Sequence, residues 1–386
     1  MKKLLISVGL VVCLVMAFAL PACVPKAAPP VEEVGPYEKY VASLPEGCFP
    51  VPRDCFEQAI EEGALNEYNW AEWWPEEIYS GFSEEFGIKV TNDYYASIDE
   101  VVAKFKLNPE TPYDIVYGAG IGNFKRLQAL GAVREINADW IPNVRKYIPE
   151  EFIEMDYDPG WRYSVSSDMY FTGYGYNTKY VDDPRIPSFA VLFEPDEKYK
   201  GRITLLDDMF EVIGAALIYL GYSWNSEDEE ELMEAKDLLL RLKPDLMAFE
   251  SSPKRLLSEE EAWISQQWYG DLWAQHRDDE YIVGVLPAEG TLMGVSTTFI
   301  PVGSPHPAAA HLFINYFFRP DVNAVLLEAI VGSPMHTGAI ELLPEEMLEW
   351  AAPPEGYIEL CEIGDPRVYT GKGLELRTAI WEEVKR

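Results

Sequence analysis

The chain has 386 residues, of which 48% are hydrophobic and 25% are charged. That composition argues against overall disorder and provides enough apolar material for a large core and more than one domain. The formal net charge of -34 would repel phosphate backbones, so nucleic acid is a poor partner, whereas small cations would be attracted over long range.

The N-terminus has the features of an export signal. Two lysines precede the apolar run 4–20, and a short stretch of small residues then leads to Cys23. This resembles a bacterial lipoprotein signal peptide, residues 1–22, with cleavage before Cys23 and lipidation of its thiol. A plain secretory signal or an uncleaved anchor is the alternative. Because no other segment is long and apolar enough to span a bilayer, we expect an extracytoplasmic protein, in the periplasm or at the cell surface, that contacts the membrane through its lipid anchor only.

Two segments separate this signal from the globular body. Residues 23–36 are rich in Pro, Ala and Val without periodicity, which is typical of a tether. Residues 37–63 form an N-terminal extension in which Cys48 and Cys55 flank two prolines. In an oxidising location these two cysteines could form a disulfide that closes a short loop.

A regular alternation of strands and helices begins at residue 64. Strand patterns occupy 64–70, 88–94 and 113–117, and helical patterns occupy 75–87, 97–106 and 123–130. This alternation predicts an α/β fold with a mainly parallel sheet covered by helices on both faces. The glycine-rich turn 118–122 lacks the Lys-Ser/Thr pair of a P-loop, so it indicates a close backbone approach rather than a nucleotide site.

A second α/β block follows. Its predicted strands are 169–177, 203–206, 282–286 and 297–300. Its predicted helices are 210–220, 229–242, a helix or helix-turn at 263–273, and a pair that begins at 307–318. We interpret 169–177 as a crossing between lobes, with hinge strands near Tyr174 and Thr298. The predicted lobes are therefore discontinuous: the first comprises 64–173 plus 300–336, and the second comprises 174–299 plus 337–386.

The clearest chemical motif follows the strand 203–206. That strand ends at Asp207 and Asp208, and Glu211 lies one helical turn beyond Asp208. Both carboxylates could therefore point into the space above the carboxyl end of the strand, where open α/β sheets bind ligands. The same Asp-x-x-Glu spacing is also a helix N-cap with its capping box, which would use both side chains in backbone hydrogen bonds. The sequence leaves both interpretations open.

Several collinear segments resemble one protein family. They are YNWAEWWPEEIYSGFSEEFGIKV, PYDIVYG, EKYKGRITLLDDMFEVIGAALIYLGYS, LPAEGTLMG and FINYFFRPDVNA, which lie in this order between residues 65 and 337. Together they are similar to the spermidine/putrescine-binding proteins of bacterial ABC importers. The resemblance implies a two-lobe, periplasmic-binding-protein-like (type II) α/β fold with hinge strands between the lobes. It also implies a monomer whose cleft closes on a ligand and whose closed form docks on ABC permease subunits.

The resemblance also implies a binding site for a polyamine or a related small organic cation. The family's aromatic and acidic ligand positions fall on five residues of this chain, namely Trp70, Trp73, Asp208, Glu211 and Trp268. An ammonium group over an indole face gains roughly 0.5 to 2 kcal/mol, and a charge-assisted hydrogen bond to a carboxylate is stronger. For each tryptophan, core packing is the alternative.

The chain departs from the family pattern in four places, one of which is the glycine-rich turn 118–122, where the family has a Ser/Thr-Tyr turn. A tryptophan and an aspartate of the family appear here as Gly294 and Ser296, and a tyrosine near its second hinge appears as Ser333. We keep Ser296 as a ligand-binding candidate. Because one aromatic wall and one distal carboxylate are missing, we expect a roomier pocket with a single anionic end, which would suit a ligand with one cationic group or a non-polyamine solute.

An enzymatic function is the alternative from a different class. Asp208 and Glu211 could act as the acid and base of a secreted glycan hydrolase. Their spacing places them side by side rather than across a bond, and neither G-x-S-x-G nor H-E-x-x-H occurs. The four histidines show no metal-ligand spacing with acidic or thiol neighbours. We therefore favour a binding protein without a metal or another cofactor.

Overall fold

The computed structural model describes residues 34–71 and 73–386, apart from the side chain of Pro366. The predicted signal peptide 1–22, the predicted lipidation of Cys23 and most of the predicted tether lie outside the described residues. Within the described ranges, no helix combines the length and the apolar character needed to cross a membrane.

The described residues form both helices and strands in alternation. The helices are α1 Pro36–Ser43, α2 Arg53–Glu62, α3 Glu76–Phe86, α4 Ile98–Leu107, α5 Gly120–Ala129, α6 Pro142–Tyr147, α7 Glu150–Ile153, α8 Ala190–Phe193, α9 Met209–Tyr219, α10 Glu229–Leu242, α11 Lys254–Ser258, α12 Tyr269–Asp278, α13 Pro307–Phe317, α14 Pro320–Ile330, α15 Thr337–Ile340, α16 Glu345–Ala351 and α17 Gly371–Lys385. The strands are β1 Ala64–Trp70, β2 Lys89–Tyr95, β3 Ile115–Tyr117, β4 Asp168–Asn177, β5 Ile203–Leu206, β6 Ala248–Glu250, β7 Ile264–Trp268, β8 Ile282–Val285, β9 Leu292–Val295, β10 Thr298–Phe299, β11 Ser333–Pro334 and β12 Glu362–Ile363.

The first lobe is built on a sheet with the strand order β10-β3-β1-β2. The strand β1 runs parallel to β2, from Ala64 opposite Lys89 to Trp70 opposite Tyr95, and β10 closes one edge in the antiparallel direction. Aromatic side chains of α3 and α13 fill the core beside this sheet. Consequently the carboxyl ends of β1 and β3 share one edge, where ligands bind in open α/β sheets.

The second lobe is built on a larger sheet with the order β12-β9-β4-β7-β5-β6, and β8 and β11 also pair with β4. The long strand β4 is antiparallel to β7, β8 and β9, whereas β5 is parallel to β6 and β7. The helix α9 is apolar around most of its circumference and is almost entirely buried, because the sheet, α10 and α17 surround it.

The chain passes between the two sheets at a small number of points. One crossing leads into β4 and another joins β9 to β10, and these two segments meet at the bridge between Val165 and Thr298. Tyr174 itself lies within the second sheet, opposite Gln266 and Val285. The two-lobe α/β fold with connecting strands is therefore confirmed.

Two local predictions were wrong. The segment predicted as a helix or helix-turn, 263–273, is the strand β7 followed by α12, because its first half pairs with β4 and β5 inside the second sheet. The glycines predicted as a turn at 118–122 continue into the first turn of α5. Gly122 must lack a side chain there, since a Cβ would overlap the ring of Tyr369.

The predicted disulfide between Cys48 and Cys55 was also wrong, because both thiols are free. Cys55 lies on the buried face of α2, where its Sγ is 3.9 Å from the carbonyl oxygen of Ala308 in α13. Cys48 lies in the preceding loop, beside Tyr147. The two side chains therefore have different surroundings, and the N-terminal extension is held by packing instead.

Candidate ligand-binding site

A cavity of about 120 Å³ lies between the two lobes. The cavity is lined by all six side chains that were predicted from the sequence to bind ligand, namely Trp70, Trp73, Asp208, Glu211, Trp268 and Ser296. The carboxyl end of β1 and the turn after it bring two of the indoles from the first lobe. The remaining four side chains come from the second lobe or from the crossing between β9 and β10.

The three indoles form one contiguous cluster across the lobes. The rings of Trp70 and Trp73 stack, with centroids 5.2 Å apart and planes 22° from parallel. Trp268 meets both rings edge-on, at centroid distances of 6.4 Å from Trp70 and 6.1 Å from Trp73. The indole nitrogen of Trp70 also donates a 3.2 Å hydrogen bond to the carbonyl oxygen of Gly118. The cluster is thus an aromatic wall that both lobes share.

Asp208 has two functions in the structure. Its Oδ1 accepts hydrogen bonds from the backbone amides of Phe210, at 2.9 Å, and Glu211, at 3.1 Å, so Asp208 is the N-cap of α9. The capping interpretation is therefore confirmed for this residue, yet its carboxylate also lines the cavity. Burial raises the pKa of Asp208, although both backbone hydrogen bonds oppose that effect. Its neighbour Asp207 faces elsewhere and pairs with Lys385 at 2.7 Å.

Glu211 is a buried acid whose carboxylate faces the cavity. Its Oε2 accepts a 2.5 Å hydrogen bond from the hydroxyl of Thr172 on β4, and the residue is 5% exposed. Burial raises the pKa of Glu211 and the neighbouring charge of Asp208 raises it further, while the polar groups of Thr172 and Trp268 lower it by less. A nearby cation would therefore stabilise its charged form.

A second buried acid, Asp168, was not predicted from the sequence as a site residue. It begins β4 and is 2% exposed, and it lines the same cavity. Its Oδ2 accepts a 2.7 Å hydrogen bond from the hydroxyl of Ser296, and the hydroxyl of Tyr117 lies 3.5 Å from Oδ1. Burial raises the pKa of Asp168 to about 7, although both hydroxyl groups oppose that effect. Ser296 therefore contacts the cavity partly through this carboxylate.

Tyr170, which lies on β4 with Asp168, takes the place of the aromatic wall that was predicted to be missing. Gly294 lies opposite Tyr170 in the pairing of β9 with β4, and a Cβ at position 294 would overlap the Tyr170 ring. Tyr369, near the end of the chain, covers another part of the cavity, where its ring lies 4.2 Å from that of Phe210. Ser333 is not part of the lining, and its hydroxyl donates to the carbonyl oxygen of Ala351 at 2.7 Å.

The expectation of a single anionic end is therefore wrong. The ring of Tyr170 fills the space beside Gly294, and Asp168 supplies a second acid beside Ser296. The position of both residues depends on the pairing of β4 with β9 and the segment after it. Strand pairing is not visible in one sequence, so neither residue could be predicted.

One ion pair also borders the cavity. Lys254 of α11 pairs with Asp271 of α12 at 2.6 Å, so this carboxylate is already neutralised. No lysine, arginine or histidine pairs with Asp168, Asp208 or Glu211 among the described residues. That part of the chain also contains no group of three or more histidine, cysteine or acidic residues that could hold a metal ion. The uncompensated charge in the cavity is thus negative.

These features define a two-lobe solute-binding protein with its ligand cavity at the lobe interface. A family model described as bacterial extracellular solute-binding protein matches residues 77–355, and the chain therefore belongs to that family. This is a family of solute-binding proteins of ABC transporters rather than a family of enzymes.

Individual relatives agree with this assignment. The spermidine/putrescine-binding periplasmic protein of Salmonella typhimurium is 30% identical over 290 residues, which cover 75% of this chain and 82% of that protein. The putrescine/cadaverine-binding protein of Pseudomonas aeruginosa is 28% identical over 312 residues, which cover 76% and 86% of the two chains. A solved structure, the spermidine/putrescine ABC transporter substrate-binding protein of Streptococcus pneumoniae, superposes with a TM-score of 0.69 at 26% identity and covers 84% of this chain and 99% of its own.

Proposed function

We propose that this protein is the substrate-binding subunit of an ABC importer and that it binds a polyamine or a related small organic cation between its lobes. The observation that carries the proposal is that one cavity is lined both by an indole cluster and by buried carboxylates that have no cationic partner among the described residues. Relatives that are named for spermidine, putrescine and cadaverine support the same ligand class.

The energetics of the cavity favour a cationic guest. A buried carboxylate without a counter-charge is unfavourable by several kcal/mol, which is why burial shifts its pKa toward the neutral form. An ammonium group would provide the missing counter-charge and would contribute about 1.5 to 3 kcal/mol per hydrogen bond to a charged group. The alkyl chain of a polyamine would lie against Trp70, Trp73 and Trp268, whose faces also attract cations.

Transport follows from ligand contacts with both lobes. A ligand that touches the indoles of the first lobe and the acids of the second binds the closed form more tightly than any open form, and so favours closure. The closed form would then dock on the permease subunits. In the same proposal the protein acts as a monomer in the extracytoplasmic space and is held at the membrane by a lipid on Cys23. Cys23→Ala would release it into the soluble fraction, and unchanged retention would indicate another anchor.

The hydrolase alternative receives no support from the cavity. Asp208 caps α9 and Glu211 lies in its first turn, so both carboxylates come from the same wall, and Oδ1 of Asp208 accepts hydrogen bonds from two backbone amides. Paired glycosidase carboxylates instead flank the bond to be cleaved, roughly 5 to 9.5 Å apart.

Calorimetric titration of ligand-free protein tests the proposed function. Spermidine, putrescine and cadaverine are compared with a neutral diol of the same length as putrescine. We expect saturable binding of one polyamine per protein with a change in tryptophan emission, and no binding of the diol. Flat titrations with every polyamine would reject this ligand class, and native mass spectrometry of gently purified protein would then identify another solute. Recovery of a chemically altered ligand would instead favour the enzyme.

A further inference from the structure

The side chains and the glycine around Asp168 hold its carboxylate in a defined position. Its carboxylate accepts from the hydroxyl of Ser296 at 2.7 Å and lies within reach of the hydroxyl of Tyr117. Gly332 leaves room for it, because a Cβ at position 332 would lie 2.9 Å from Oδ2. Neutral hydroxyl groups solvate a carboxylate without neutralising it. The charge of Asp168 is therefore available to a cation inside the cavity.

The strand β4 sets the distance between this acid and Glu211. Side chains of a strand alternate between its two faces, so Asp168, Tyr170 and Thr172 share one face. Four residues of strand separate the Cα atoms of Asp168 and Thr172 by roughly 13 Å. Because Glu211 accepts the hydrogen bond of Thr172, the two buried acids lie near opposite ends of one row of side chains. The ring of Tyr170 lies between them.

We propose, on the basis of the function proposed above, that Asp168 is a second ammonium-binding residue and that its separation from the Asp208–Glu211 pair selects a long polyamine. The preferred ligand class is a linear triamine such as spermidine, with one terminal ammonium at each acidic end and its alkyl chain along Tyr170. Ser296 is a positioning residue that orients the carboxylate of Asp168.

The expected selectivity follows from the geometry. Each terminal ammonium lies one hydrogen-bond length from its carboxylate, so the ligand can be shorter than the distance between the two acidic ends. A putrescine molecule is still too short and reaches only one end at a time. The other carboxylate then stays buried without a counter-charge, which is unfavourable. Spermidine satisfies both ends, so its affinity should exceed that of putrescine by about tenfold or more, which is the contribution of one charge-assisted hydrogen bond.

The decisive experiment compares spermidine and putrescine on the wild-type protein and on Asp168→Asn. The substitution preserves side-chain size and removes the charge. We expect the affinity for spermidine to fall about tenfold or more, while the affinity for putrescine changes by less than about threefold, so that the preference is lost. An unchanged spermidine affinity, or an equal loss for both ligands, would overturn the assignment.

Three further variants make this result interpretable. Asp237→Asn removes the same charge from the exposed face of α10 and should leave both affinities unchanged, which controls for the long-range field. Asp208→Asn should weaken both ligands. Ser296→Ala retains the carboxylate of Asp168 but removes its donor, so the spermidine preference should decrease near neutral pH and recover in alkaline buffer as Asp168 ionises. If Asp168→Asn does not fold, absence of that recovery in Ser296→Ala would overturn the proposal.

The outcome separates this inference from the proposed function. If the wild-type protein binds spermidine and putrescine equally well, and if Asp208→Asn loses both, the second ammonium site is refuted. The proposed polyamine function is retained in that case. Wild-type protein that binds neither ligand would refute both.

Discussion

The two lobes contribute different chemistry to the cavity between them. The first lobe provides Trp70, Trp73 and the backbone of the glycine-rich segment before and within α5, whereas the second provides every acidic side chain of the lining. The acids of the second lobe are held by its own sheet and by the first turn of α9. The acidic side chains of the lining thus lie on one side of the lobe interface, whereas aromatic side chains lie on both sides.

This division suggests an order of events. Carboxylates attract a cation over several ångströms, while indole faces act only in contact. A cationic ligand would therefore be captured by the second lobe first, and closure would then bring the indoles of the first lobe onto it. The predictions below test this division of roles, from the largest expected effect on binding to the smallest.

Glu211→Gln should cause the largest loss of affinity. The amide retains the size of the side chain and a hydrogen bond with Thr172, but it removes the charge that faces the cavity. We expect polyamine affinity to fall by about 10- to 100-fold, the range for a hydrogen bond to a charged group. Calorimetric titration measures the change, and thermal unfolding checks that the variant is folded. An affinity within a factor of two of the wild type would show that the second lobe does not capture the cation.

Trp73→Leu should have a smaller effect, and mainly on dissociation. The substitution removes one of the two stacked first-lobe indoles while it keeps an apolar side chain at the cavity. We expect a loss of about 3- to 30-fold, from roughly 0.5 to 2 kcal/mol of cation–π attraction, with most of the change in the dissociation rate. Stopped-flow tryptophan emission gives both rate constants. A loss confined to the association rate would contradict closure of the indoles after capture.

Affinity should increase with pH across the neutral range. Burial raises the pKa of Asp168 to about 7 and also raises that of Glu211, so the ligand-free cavity holds protons that a bound ammonium would displace. Binding therefore releases protons, and affinity should increase from about pH 6 to about pH 8.5, where these acids ionise and the amines remain charged. Titrations in two buffers of different ionisation enthalpy count the released protons. Equal or higher affinity at about pH 6 would contradict buried acids as the cation ligands.

The sequence predicted those parts of the cavity that local patterns determine. Strand and helix periodicity located β1 and β5, and the resemblance to a known family then marked Trp70, Asp208 and Glu211. Asp168 and Tyr170 were not predicted because their position depends on the register of β4 against β9 and the segment after it, which brings Tyr170 beside Gly294 and Asp168 beside Ser296. A register of this kind comes from tertiary packing and not from local sequence.

The strand β7 was mispredicted for a related reason. Its polar residues Ser265 and Gln266 are typical of an exposed helix face, yet both are fully buried. Ser265 accepts a 2.8 Å hydrogen bond from the hydroxyl of Thr204, and the side-chain amide of Gln266 donates to the carbonyl oxygen of Glu211 at 3.2 Å. Buried polar groups are favourable only when such partners exist, and the partners belong to distant segments.

Glu67→Gln should have the smallest effect on binding and a clear effect on stability. Glu67 lies on β1 of the first lobe, is fully buried and does not line the cavity. Burial raises its pKa to about 7, and the polar side chains of Tyr79 and Asn69 lower it by less. A raised pKa in the folded state means that ionisation is easier after unfolding, so this residue destabilises the wild-type fold progressively as pH rises from about 4.5 to about 7.

The variant should therefore match the wild type in stability near pH 4.5 and exceed it near pH 8 by about 3 kcal/mol, because raising a pKa by one corresponds to roughly 1.4 kcal/mol. Urea unfolding at the two pH values measures this difference. Polyamine affinity should stay within a factor of two, because an acid in the first lobe core contributes nothing to capture. A large loss of affinity in Glu67→Gln would mean that negative charge in both lobes acts on the ligand, and the assignment of ligand capture to the acids of the second lobe alone would then be wrong.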